Sequence, residues 1–123
     1  MMYALTKAVA GRTVEVKLYK TKKKAMEGLK DAVVGFFSEL GVTIEISGTL
    51  SEDSFRPNSS NCYQALKRAV AEKKLPDVSF YGTFPFIDDI SSDFFEIGYE
   101  TKDDWDYTVV GDMPILAWTI VQC

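Results

Sequence analysis

Histidine is absent from this chain of 123 residues. That absence removes Ser–His and Cys–His nucleophile pairs, imidazole acid–base work, and most zinc and iron sites. Catalysis would have to run on carboxylate pairs or lysine, so a protein that is not an enzyme is expected. Cysteine is scarce, with only Cys62 and Cys123. A single bridge involving the last residue is a poor framework, and two free thiols in a reducing cytoplasm are expected. No stretch approaches the ~18 consecutive apolar residues of a membrane span, and no membrane partner is expected. The opening Met1-Met2-Tyr3-Ala4-Leu5-Thr6-Lys7 lacks the apolar run of a signal peptide and reads as a strand. Without such a signal, Asn58-Ser59-Ser60 matches the glycosylation sequon by chance.

What is present suits one domain spanning residues 1–123. The length falls in the common single-domain range. Hydrophobic residues make up 46% and charged residues 26%, close to ordinary globular usage. Eight Phe, six Tyr and two Trp spread along the chain argue against disorder.

Residues 2–9 and 13–19 read as a hairpin across Ala10-Gly11-Arg12. Val14, Val16 and Leu18 alternate with Glu15, Lys17 and Tyr19, the period-2 signature of a half-buried strand. A two-residue Gly11-Arg12 loop sets Val9 opposite Val14 and Leu5 opposite Leu18, which groups the apolar residues on one face. Residues 22–40 predict the clearest helix, with Ala25, Leu29, Ala32, Phe36 and Leu40 on one stripe, Met26, Val33 and Phe37 widening it, Thr21 as cap and Gly41 as terminator. Val42–Ile46 reads as a strand, 48–60 as an exposed loop, and 61–74 as a second helix ended by Pro76. Val78–Phe86, Phe94–Thr101, Trp105–Val110 and Pro114–Gln122 read as strands. A Gly111-Asp112 turn would pair Val110 with Met113, Tyr107 with Leu116 and Trp105 with Trp118. The predicted fold class is α+β: a mostly antiparallel sheet of about 6–7 strands in the order ββαβαββββ, with two helices packed on one face.

Charge is distributed unevenly. Residues 1–75 carry 13 Lys or Arg against 8 Asp or Glu, whereas residues 76–123 carry Lys102 alone against 10 acids. A concentrated negative surface attracts basic partners and speeds their encounter. Nucleic-acid-binding grooves are basic because they neutralise phosphates, which makes them natural targets. The expected function is therefore a small acidic interaction or inhibitor protein, docking a C-terminal sheet surface on a basic, nucleic-acid-binding type of protein partner. Compact acidic proteins of this kind are common among phage and mobile-element products that block defence enzymes. Asp88, Asp89, Asp93, Glu96, Glu100, Asp103, Asp104 and Asp106 are the candidate carboxylates, with Trp105 and Tyr99 as anchors. The plainer alternative is a solvated face that keeps the protein soluble.

Two other clusters invite function. Lys20, Lys22, Lys23 and Lys24 crowd the start of the first helix, but no nucleic-acid-binding pattern accompanies them and the net charge of −4 is of the wrong sign. Direct nucleic-acid binding is not expected. Arg56, Asn58, Ser59, Ser60 and Asn61 gather at the start of the second helix, where N–H groups and the dipole favour an anion. A nucleotide or other anionic metabolite bound there is the alternative function; an ordinary helix cap, with Gln64 completing a box on Asn61, is the structural alternative. The pairs Asp88-Asp89 and Asp104-Asp106 fit no Ca²⁺ loop or two-metal spacing, so neither metal nor cofactor is expected.

Overall fold

A computed structural model describes residues 1–72, 74–75, 83–102, 108–110 and 115–123. The chain is α+β, with strands β1 (Tyr3–Val9), β2 (Arg12–Tyr19), β3 (Thr83–Ile90), β4 (Phe94–Lys102), β5 (Thr108–Val110) and β6 (Leu116–Gln122). Helix α1 spans Lys22–Glu39, α2 spans Glu52–Phe55, and α3 spans Ser59–Ala71, with a 3₁₀ turn at Arg56–Asn58 before α3. All described strand pairings are antiparallel, in the order β2-β1-β6-β4-β3, and β5 also pairs with β4.

Helix α1 forms where its periodicity places it. The Thr21 hydroxyl accepts a hydrogen bond from the Lys24 backbone N–H at 3.1 Å, closing the first turn. Ala25, Leu29, Val33 and Phe37 are buried along one stripe, while the expected Ala32, Phe36 and Leu40 are only partly buried beside it. Helix α1 rests on β1 and β6 and reaches β4 through Phe37. Phe36 meets Trp118 edge-on at 5.4 Å between ring centres, and Phe37 meets Phe95 at 6.3 Å. Helix α3 adds Cys62, Ala65, Leu66 and Ala69, and Phe55 reaches Phe95 at 5.7 Å. Offset and edge-on ring pairs of this kind add to the area they bury. Leu5, Phe95, Ile97, Leu116, Trp118 and Ile120 form the floor of this one core, so the helices cover one face of the sheet, as expected. Burial also pushes the Cys62 thiol up to about 12, and both cysteines are free.

Four expectations are corrected. First, Val42–Ile46 is not a strand. Ile44 is buried in the core, and the Asn58 side-chain amide takes the place of a neighbouring strand. It donates to the Glu45 carbonyl at 2.8 Å and accepts from the Glu45 N–H at 3.5 Å. Second, 48–60 is not an exposed loop. Leu50 and Phe55 are buried anchors, and between them Ser51 and Ser54 form a reciprocal capping box. Each hydroxyl accepts from the other's backbone N–H, at 3.1 Å on Ser51 and 2.8 Å on Ser54.

Third, Leu116 and Trp118 have β1 and β4 as their neighbours instead of the strand of a terminal hairpin, and Trp105 and Tyr107 lie outside the described residues. β6 is flanked on both sides: Trp118 lies between Lys7 of β1 and Phe95 of β4, and Leu116 between Val9 and Ile97. A strand with the largest aromatic floor residue belongs in the sheet's centre, beneath the helices, and not at the end of a terminal hairpin. The Val110–Met113 pairing and the Gly111-Asp112 turn lie outside the described residues, as does most of the Val78–Phe86 strand; β3 extends to Ile90 instead.

Fourth, the first hairpin turns one residue earlier than expected. Ala10 (φ 51°) and Gly11 (φ 80°) form the turn, and Val9 pairs with Arg12. Two successive positive φ values define the turn type whose twist matches that of the strands. A bulge follows, so that Leu5 faces Lys17 and Ala4 faces Leu18. Val14, Val16 and Leu18 consequently point away from the helices and are 55%, 55% and 61% exposed. Register is strongly specified only where one face is buried. Every residue from Arg12 to Leu18 is exposed, which leaves the turn to decide.

Candidate acidic interaction site

Strands β3 and β4 are joined across Ser91, Ser92 and Asp93, and the ladder contains an irregularity at Asp88, between Ile87 and Asp89. Ile87 and Ile90 pair with Ile97 and Phe95 on the core side. This apolar pinning brings Asp89 directly opposite Glu96. Like charges directly opposite each other destabilise a sheet. The Glu96 carboxyl is held above its ordinary range by partial burial, by the negative charges of Asp88 and Asp89, and by a hydrogen bond shared with Asp88. Three acidic side chains therefore meet at one bulge. The ion pairs found among the described residues lie elsewhere, at Glu15–Lys17, Asp53–Arg56 and Glu72–Lys74. No lysine from the first half of the chain neutralises Asp88, Asp89 or Glu96 among the described residues.

The remaining candidates divide. The Asp93 carboxylate accepts from the Ser91 hydroxyl at 2.8 Å and its carbonyl accepts from Ile120 N–H at 2.9 Å, so it shapes the turn beside the cluster. Glu100 lies on β4, opposite Phe84 on one side and Val110 on the other. Tyr99 packs against the core, on the face of β4 opposite to Glu96, and is not brought together with the three acids. Asp103, Asp104, Trp105 and Asp106 lie outside the described residues.

The loop candidates take up structural duties. Asn58 is occupied with Glu45, and the Ser59 hydroxyl donates to the Arg56 carbonyl at 2.9 Å. The start of α3 is continued backward by the 3₁₀ turn, with the Ser59 N–H bonded to the Arg56 carbonyl. Neither Ser60 nor Asn61 caps the helix: α3 has no side-chain cap. The exposed Arg56 guanidinium pairs with Asp53 at 3.7 Å.

The two candidate regions share a cleft of about 280 Å³. Phe55, Arg56, Ser59 and Tyr63 line one wall, and Ile87, Asp88, Asp89 and Ile90 line the other. Sequence reasoning missed Tyr63, Ile87 and Ile90 as cleft residues. Only the packing of α3 on β3 brings them to the acids, and no local signal marks that contact. Among the described residues no group of three Asp, Glu or Cys side chains is arranged to hold a metal ion. None of the helices described is long and apolar enough to cross a membrane. No family model, curated protein or solved structure matches the chain.

Proposed function

We propose that the protein is a small interaction module that docks the β3–β4 carboxylates on a basic protein surface, such as a nucleic-acid-binding groove, and thereby blocks it. The observation that carries this reading is the meeting of Asp88, Asp89 and Glu96 at one bulge, with none of the three in an ion pair among the described residues. A folded domain tolerates such a cluster at a cost, and an arriving lysine or arginine would remove that cost. The adjoining cleft, with Phe55, Tyr63, Ile87 and Ile90 between the charges, offers an apolar seat for the partner's side chain. Asp88 and Asp89 on its wall would repel an anion, which sets the docking reading above capture of a nucleotide at Arg56.

The test is a pull-down from host lysate with the wild-type protein and with an Asp88→Lys/Asp89→Lys variant. The expected result is a basic protein retained by the wild type, released as salt rises, and lost from the variant. Equal retention by both proteins, or retention indifferent to salt, sinks the reading. Thermal-shift titration with nucleotides is expected to give no saturable shift.

A further inference from the structure

We propose that two copies of this chain pair antiparallel through the free edge of β2, about a two-fold axis at Val16. β2 ends the strand order, and its described pairing is with β1 alone. An edge strand of eight residues presents unpaired backbone N–H and C=O groups, a template for another strand. What identifies the occupant is the order of side chains along that edge. Directly opposed residues must lie on the same face of a sheet, so a self-paired β2 has few registers available. With Glu15 on the axis, two glutamates face each other; with Lys17 on the axis, two lysines do. With Val16 on the axis, Glu15 of each copy faces Lys17 of the other, and Val14 of each faces Leu18 of the other. The bulge at Val14 breaks the alternation before Thr13, so the matched ladder runs from Val14 to Leu18 in each copy.

This register forms two opposite-charge pairs on the helix-side face and an apolar row on the other. The side chains concerned are already exposed. Glu15 and Lys17 lie 3.4 Å apart within one chain, at 49% and 61% exposure, and Val14, Val16 and Leu18 are the exposed apolar residues of β2. The two-fold arrangement is closed, because it consumes the β2 edge of both copies. The opposite edge does not offer the same match, since β3 carries Asp88 and Asp89 but no lysine or arginine to face them. A single ladder is a small interface, so a reversible, concentration-dependent dimer is expected.

The experiment is sedimentation velocity across a wide concentration range, on the wild type and three charge variants. Lys17→Glu and Glu15→Lys alone each set like charges across the axis and are expected to raise the dissociation constant about tenfold or more. The double variant Glu15→Lys/Lys17→Glu restores opposite pairs and is expected to dimerise as the wild type does. An equimolar mixture of the two single variants is expected to associate, because one copy then offers two lysines and the other two glutamates. Far-UV circular dichroism checks that each variant folds. A wild type that stays monomeric throughout overturns the proposal. So do single variants that dimerise like the wild type, or a double variant that does not recover.

Discussion

The two edges of this sheet are built on opposite rules. At β2, charges of both signs alternate with valine and leucine, and the strand's own pattern is self-complementary. At the β3–β4 end, three carboxylates crowd one bulge and none of them is in an ion pair among the described residues. The same core supports both. Phe95 and Trp118 sit between the edges, beneath α1, and their packing holds the acid cluster in a register that electrostatics alone would not choose. A balanced edge suits a like partner, whereas an unbalanced one suits a partner of opposite charge.

The largest test of this comparison is to remove the shared support. Phe95 contacts Phe37, Phe55 and Trp118 and is fully buried, so Phe95→Ala is expected to lower stability by roughly 3–5 kcal/mol. Urea unfolding followed by tryptophan fluorescence and by circular dichroism should show one coincident transition; two separated transitions would mean that the edges are independent units. A smaller change separates them. The Phe86 ring lies over Gly98 at 3.0 Å from where a β-carbon would stand, tying β3 to β4. Phe86→Ala is expected to cost roughly 1–2 kcal/mol, less than a fully buried Phe because the ring is half-exposed. Hydrogen exchange should quicken in β3 and stay unchanged in β2.

Each edge also holds a correctable fault. Ala10 occupies the left-handed region (φ 51°), which disfavours any residue with a β-carbon. Ala10→Asn, giving the turn a residue that tolerates this conformation, is expected to stabilise the hairpin by roughly 0.5–1 kcal/mol in thermal unfolding. Glu96→Gln is expected to stabilise by roughly 0.2–1 kcal/mol at neutral pH by removing one of the opposed charges. The sign follows from the raised carboxyl. Its folded-state value lies above the ordinary 4.5, so the folded state holds its proton more tightly than the unfolded state. The penalty for ionising Glu96 is therefore absent below about 4.5 and develops as pH rises through the raised value. The gain from Glu96→Gln should vanish on acidification; a gain independent of pH would mean that the acids do not interact.

The smallest expected effect involves no change in stability. Cys62 is buried with its thiol pushed up to about 12, whereas Cys123 is exposed. Native protein should react with one equivalent of iodoacetamide, at Cys123, and denatured protein with two.

Much of this architecture was legible from local patterns. The α1 stripe and its Thr21 cap, the alternation of Leu116, Trp118 and Ile120, and the extent of β4 follow from periodicities of 3.6 and 2 that a buried face enforces. The uneven charge was legible too, although its geometric consequence was not. That Asp89 faces Glu96 depends on the irregularity at Asp88, which no residue type announces. The helical turns at 52–58 escaped notice because Ser, Asp, Asn and Pro favour turns and caps alike, and Leu50 and Phe55 decide between them by reaching the core. Asn58 was readable as an anion ligand; its partner, Glu45, is distant in sequence.

By itself the sequence determined the fold class, the helix that carries the core, and the concentration of negative charge in the last two-fifths of the chain. Those properties depend on composition and on spacing within one segment. Tertiary structure alone decided which face of β2 carries Val14, Val16 and Leu18, which strands flank β6, and which carboxylates meet. Each of these is a choice of register or neighbour between distant segments, set by how apolar side chains fill the shared core and by the backbone geometry of one turn and one bulge.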